Sequence, residues 1–143
     1  MSWSRDEVSA FVAEEPRLGR LGTASADGVP HVAPIWFAER DGAFLVHTLG
    51  ETRKAGNVRE NGRFALTVDE PEPPYKGVTL HGSARFADEG EVDWKGLLGE
   101  LAVRYLGDEQ GPGYAEYIAN IPGEHVTLVL DPDGRSDWDY SQA

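Results

Sequence analysis

Thr52-Arg53-Lys54 opens the one stretch of this sequence where basic side chains concentrate. Residues 53–63 hold Arg53, Lys54, Arg59 and Arg63 against a single acid, Glu60, in a chain whose net charge is −12. Thr52 stands where it can cap a short helix, and Asn61-Gly62 where they can stop it. A helix starting there directs unsatisfied N–H groups and the positive end of its dipole at whatever lies before it. The Thr52 hydroxyl and the planar donor fork of Arg53 suit phosphate oxygens. The pattern reads either as a grip for one localised anion or as a solvated helix face paired with carboxylates.

The remaining chemistry-bearing residues are sparse. Cysteine is absent, so disulfides, thiolate metal sites and cysteine nucleophiles are excluded. His31, His47, His81 and His125 are the only histidines, and no two stand at the spacing of a local metal pair. Asp131-Pro132-Asp133-Gly134 resembles the start of a calcium loop, but its glycine comes too early and no glutamate closes it, so it reads as a turn. The glycines form neither a dinucleotide fingerprint nor a phosphate loop, and there is no Gly-x-Ser-x-Gly elbow. No side chain declares itself a catalytic acid or base. The acidic balance argues against nucleic acid or an anionic membrane as partner. No apolar run reaches the roughly 20 residues of a membrane span, and residues 1–7 lack the order of a signal peptide; the expected compartment is the cytoplasm.

The elements that must position these residues are mainly β. Residues 1–143 read as a single domain. Ser4 and Glu7 form a capping box ahead of Val8, Phe11 and Val12 at helical spacing, and Pro16 ends that helix. Strands are expected at Leu18–Ser25, Val29–Ala38, Ala43–Thr48, Arg63–Asp69, Tyr75–Ala87, His125–Leu130 and Ser136–Tyr140. Asp27-Gly28 and Asp41-Gly42 mark tight turns. Pro30 and Pro34 each lack a backbone donor, so the second strand is expected to be an edge or to turn its unpaired side to something other than another strand. Trp94, Leu97, Leu98, Leu101 and Tyr105 form one apolar stripe on a helix over Glu91–Leu106, with Trp94 expected in the core. Gly107–Gly113 reads as a flexible loop, and Tyr114–Ile121 as one or two helical turns. Short strands, tight turns and inserted helices predict an antiparallel barrel of six or seven strands.

Four passages in this order resemble the pyridoxamine 5′-phosphate oxidase-like superfamily of FMN-binding split β-barrels, which also holds reductases dependent on the deazaflavin coenzyme F420. They are Leu21–Ser25 with Asp27–Phe37; Thr52-Arg53-Lys54 with Asn57 and Asn61–Leu66; Pro73–Val78 with Gly82; and Trp138-Asp139-Tyr140. The resemblance implies a homodimeric split barrel with FMN or F420 at the subunit interface. It assigns the cofactor phosphate to Thr52, Arg53 and Lys54, the ring to the strand carrying Val32, Ala33, Pro34 and Trp36, and the ribityl chain to Thr48. It offers Tyr75, Lys76 and Trp138 as contributions from the partner subunit. The four histidines themselves read first as strand residues, and of these His31 and His47 could face such a cofactor. The implied activity is hydride transfer between bound FMN or F420 and a small organic acceptor. Non-enzymatic carriage of FMN, F420 or haem on the same fold is the alternative. Pyridoxamine phosphate oxidases proper carry Arg and Lys on the strand matching Val32–Phe37, Gln at the position of Gly77, and a C-terminal Arg/His motif. This chain has none of these, so the resemblance points to the small reductases instead.

Overall fold

The computed structural model describes residues 2–142. Its elements run α1 (Arg5–Glu14), β1 (Gly19–Ala24), β2 (Pro30–Ile35), β3 (Ala38–Arg40), β4 (Ala43–Leu49), α2 (Arg53–Glu60), β5 (Arg63–Asp69), β6 (Lys76–Phe86), α3 (Trp94–Ala119) and β7 (His125–Asp139), with a short 3₁₀ turn over Tyr140–Gln142. No helix among the described residues is long and apolar enough to cross a membrane.

The seven strands form one sheet in the order β2-β1-β5-β6-β7-β4-β3. Every neighbouring pair is antiparallel. The outermost strands, β2 and β3, are consecutive in the chain, joined only by Trp36 and Phe37. Two edges separated by two residues force the sheet to curl until they meet, which makes a split barrel. Its interior holds Leu21, Phe37, Phe44, Val46, Leu66, Val68, Val78, Leu128 and Leu130. Helix α1 covers one mouth with Val8, Phe11 and Val12; Ser4 caps it, its Oγ accepting from Glu7 N at 3.1 Å while Ser4 N donates to Glu7 Oε1 at 2.8 Å.

The proline-bearing strand is an edge, pairing only with β1. Asp41 and Gly42 both take positive φ (54° and 88°), as the tight turn between β3 and β4 requires.

Three expectations need correction. The single strand over Val29–Ala38 is broken at Trp36-Phe37, because the chain leaves one edge of the sheet there and starts the other. The turn at Asp131–Gly134 is a β-bulge inside the continuous strand β7. Both flanks pair with the same long β6, so the extra residue is absorbed where Gly82 faces Pro132 and His81 faces Gly134. A Cβ at Gly82 would fall on the Asp131 carbonyl oxygen, with Asp133 N and Pro132 Cα each at 2.8 Å; only glycine lets the bulge close down. Finally, Gly107–Gly113 is not a loop: the helix resumes directly after Gly107 and continues to Ala119.

Candidate functional site

Helix α3 builds the site by folding back on itself. Its first arm, residues 94–106, buries Leu97 and Leu101 against Ala38, Leu45 and Val129 on the outer face of the sheet. At Gly107 the backbone leaves the helix (φ 92°, ψ 171°), a conformation that side-chain-bearing residues rarely adopt. The second arm then returns close beneath the first: a Cβ on Gly111 would lie 2.7 Å from Val103 Cα. This reversal carries Tyr114 and Ile118 over the β2 edge and encloses a cleft of ≈ 350 Å³.

The cleft is lined by Leu18, Pro34, Ile35, Trp36, His47, Lys54, Leu98, Leu101, Tyr114 and Ile118. Its walls are apolar and aromatic, with His47, Lys54 and the Tyr114 phenol as the ionisable groups, a composition that suits a small organic ligand. The indole of Trp36 stands between Tyr105 and Tyr114, their ring centroids 5.2 and 5.7 Å away.

Lys54 enters the cleft from the N-terminus of α2. Thr52 caps that helix, Oγ1 accepting from Ala55 N at 3.4 Å. Its hydroxyl donates to Leu49 O at 2.9 Å and meets Thr48 Oγ1 at 3.0 Å, so both threonines are engaged in holding the loop. Asn57 is buried and donates to Thr23 Oγ1 at 3.0 Å, fastening α2 to β1. Of the four basic residues expected to gather here, two are committed elsewhere. Arg63 pairs with Asp133, and Arg59 lies over the Phe86 ring. Arg53 and Lys54 form no ion pair among the described residues. Burial pulls the Lys54 ammonium below its usual range, and no carboxylate among the described residues pairs with it. A half-buried, unpartnered cation beside exposed Arg53 and the first N–H groups of a helix fits a phosphate.

On the outer face of β4, His47 turns its Nε2 to within 2.9 Å of His125 Nδ1, and His125 Nε2 lies 2.9 Å from Ile121 O. Trp94 stacks on His125 at 4.3 Å with the planes within 6°. Trp94 is therefore a lid on the histidine pair rather than part of the core. Burial, the neighbouring His125 and Lys54 push His47 down to about 4, so it is neutral at ordinary pH. Among the described residues no cluster of three His, Asp or Glu could hold a metal ion.

Of the residues singled out in the sequence, Pro34, Trp36 and Lys54 meet in the cleft. Thr48 and Thr52 stand behind it, bonded to each other, and Arg53 is exposed at the helix start. Val32 projects outward, 68% exposed, and Ala33 is half-buried on the same edge strand. His47 lines the cleft; His31 does not, and its Nδ1 is buried without a hydrogen-bond partner among the described residues. Tyr75, Lys76 and Trp138 lie outside the cleft within one chain. Lys76 is over Phe11 and 4.0 Å from Glu14, Tyr75 O accepts from Tyr140 N, and Trp138 borders a separate hollow with Trp3 and Glu7. Leu98 and Leu101 read as a core-facing helix stripe and His125 as a lone strand histidine, and nothing local in the sequence places them, Tyr114 or Ile118 at the cleft. Tyr114 and Ile118 reach the cleft only through the fold-back after Gly107, and the histidines are 78 positions apart in the chain.

Comparison with known proteins gives one family match: the model described as pyridoxamine 5′-phosphate oxidase matches residues 4–139. A curated 5a,11a-dehydrotetracycline/5a,11a-dehydrooxytetracycline reductase from Streptomyces rimosus subsp. rimosus is 36% identical over 99 residues, covering 63% of this chain and 68% of the relative. Among solved structures, a conserved hypothetical protein from Mycobacterium tuberculosis superposes with a TM-score of 0.75 at 24% identity, covering 98% of this chain and 87% of that one. An F420 reductase superposes with a TM-score of 0.69 at 25% identity, covering 89% and 94%.

Proposed function

The chain belongs to the pyridoxamine 5′-phosphate oxidase family, and from that membership we propose that it is an oxidoreductase that binds FMN or coenzyme F420 and reduces a small organic acceptor. The observation that carries this reading is Lys54, without an ion pair among the described residues, entering an apolar cleft beside a proline-bearing edge strand, with exposed Arg53 next to it at the start of α2. The reductase relative at 36% identity and the F420 reductase neighbour support the same class of reaction.

Arg53, Lys54 and the N–H groups at the start of α2 would hold the cofactor phosphate, with Thr48 and Thr52 fixing the loop that presents them. The ring would lie along Val32, Ala33 and Pro34, with Trp36 at its end; an edge strand tolerates Pro34 because it has no second neighbour to bond. When bound, the cofactor supplies the hydride chemistry. The protein's part is to grip the phosphate, keep one face of the ring against the sheet, and exclude water with Tyr114 and Ile118.

The reading includes a homodimer. Leu18, Val29 and Val32 stand exposed along the β1–β2 edge, a surface that a second copy could cover. Tyr75, Lys76 and Trp138 would then complete the partner's pocket, which accounts for their distance from the cleft of their own chain.

The test is a titration of FMN and of F420 against the purified protein, followed by fluorescence, together with light scattering. Saturable binding of one cofactor by a dimer, and turnover of the reduced cofactor with a panel of acceptors, are the expected results. Failure of both cofactors to bind would overturn the reading.

A further inference from the structure

His47 belongs to a hydrogen-bonded chain whose polarity is fixed. His125 Nε2 lies 2.9 Å from the Ile121 carbonyl oxygen, which can only accept, so Nε2 carries the hydrogen. In the neutral ring His125 Nδ1 is then an acceptor. His47 Nε2, 2.9 Å away, must be the donor. This leaves the hydrogen-free nitrogen of His47 at Nδ1. That atom has no hydrogen-bond partner among the described residues and is not among the enclosed ones, while His47 forms part of the cleft wall. Trp94, stacked on both rings, holds their planes.

We infer that His47 Nδ1 is a preset hydrogen-bond acceptor aimed into the cleft, selecting a ligand that offers a ring N–H or an enol or phenol O–H at that point. The inference rests on the reading of the cleft as a flavin or deazaflavin site. It deepens that reading by naming a specificity-determining residue that β4 contributes to the cleft wall. The carbonyl of Ile121 and the ring of His125 act as positioning groups, since the other tautomer of His125, with its hydrogen on Nδ1, would reverse the chain and cap His47 Nδ1 with a hydrogen. The donor can come from the cofactor ring or from the acceptor, and both present the same chemistry to Nδ1.

The experiment is ¹⁵N NMR of histidine-labelled protein: free, saturated with FMN or with F420, and then with tetracycline added to the cofactor-loaded form as an enol- and phenol-bearing probe. The free protein should show His47 with hydrogen on Nε2 and none on Nδ1. The Nδ1 signal should move toward the hydrogen-bonded range on cofactor addition if the cofactor is the donor, or only with tetracycline if the acceptor is. His47→Leu should weaken that same ligand about tenfold. His47→Asn, whose amide oxygen can replace Nδ1, should restore part of the affinity, and His125→Phe should mix the His47 tautomers. The wild-type spectra answer even where a variant fails to fold. A hydrogen on Nδ1 in the free protein overturns the inference. So does cofactor binding that leaves the Nδ1 signal unmoved in both arms, with the reductase reading left standing. No binding of either cofactor removes that reading and this inference with it.

Discussion

The indole of Trp36 lies parallel to the ring of Tyr105, with centroids 5.2 Å apart and planes within 3°. The stack joins the corner where β2 becomes β3 to the first arm of α3. Tyr105 extends that joint with its hydroxyl, which donates to Arg17 O at 2.8 Å and accepts from Phe37 N at 3.4 Å. One side chain thus fixes a wall of the cleft to the helix that roofs it. Burial raises the Tyr105 phenol, which keeps it protonated as a donor.

Tyr105→Phe preserves the stack and deletes the hydroxyl. It leaves the Arg17 carbonyl and the Phe37 N–H without that partner, at a cost of about 1–2 kcal/mol. Urea unfolding should show a lower midpoint with an unchanged slope. An unaltered midpoint would mean that water replaces the hydroxyl at no loss.

Arg53→Ala combined with Lys54→Ala removes the unpaired cations. Cofactor binding should weaken by a few kcal/mol, on the order of 1.5–3 for each charge-assisted hydrogen bond. Neither side chain holds an ion pair in the described structure, so thermal stability should hold or rise as the half-buried Lys54 charge disappears. Isothermal titration and a melting curve on the same sample separate the two effects. Unchanged affinity would dissociate the dyad from the cofactor.

The helix start at Thr52 was legible in the sequence because its signals are local: a capping hydroxyl, a short basic run and a stopping Asn-Gly pair within one stretch. The edge position of β2 was legible for the same reason, since Pro30 and Pro34 act on their own strand. The bulge at Asp131–Gly134 was not. Its residues have turn chemistry, and only pairing of both flanks with β6 shows that the chain runs straight on. The roof of the cleft was hidden likewise. Gly107, Gly111 and Gly113 advertise a loop, whereas Gly107 makes a single sharp corner and Gly111 permits close packing of two helical arms. His47 and His125 become neighbours only through the β4–β7 register, which sets His47 opposite Thr127.

Gly111→Ala tests that packing. The added methyl would sit 2.7–2.9 Å from backbone atoms of Ala102 and Val103, which cannot step aside. The arms must part, at about 1–3 kcal/mol. Tyr114 and Ile118 would lift from the β2 edge, so cofactor dissociation should accelerate in stopped-flow fluorescence more than association changes. A variant with wild-type release would show that the second arm does not close the cleft.

Gly82→Ala should be far more damaging. Its methyl has nowhere to go between the Asp131 carbonyl and the backbone of Pro132 and Asp133. The bulge would have to open and release the pairing of β6 with β7 on either side. Loss of about 3 kcal/mol or more is expected, comparable to strong overpacking. Circular dichroism melts should show a greatly lowered transition or none, and a midpoint within a few degrees of wild type would contradict the tight closure.

Stability should also fall on mild acidification through His47. Burial pushes this residue from 6.5 in the unfolded chain to about 4 in the fold; His125 and Lys54 add to the shift. The stacked Trp94 offers no charge, and no carboxylate pairs with the His47 ring among the described residues. A base depressed on folding binds its proton more readily in the unfolded state. Its effect is therefore nil above pH 6.5, grows as pH falls toward 4, and is constant below that. A half-buried ring is partly screened by water, so the loss across this window is on the order of 2 kcal/mol. His47→Gln cannot titrate, and its unfolding free energy should fall less steeply than that of the wild type between pH 6.5 and 4. Parallel pH profiles for the two proteins in urea would measure the difference, and superimposable slopes would show that His47 accepts a proton in the fold as easily as in the open chain.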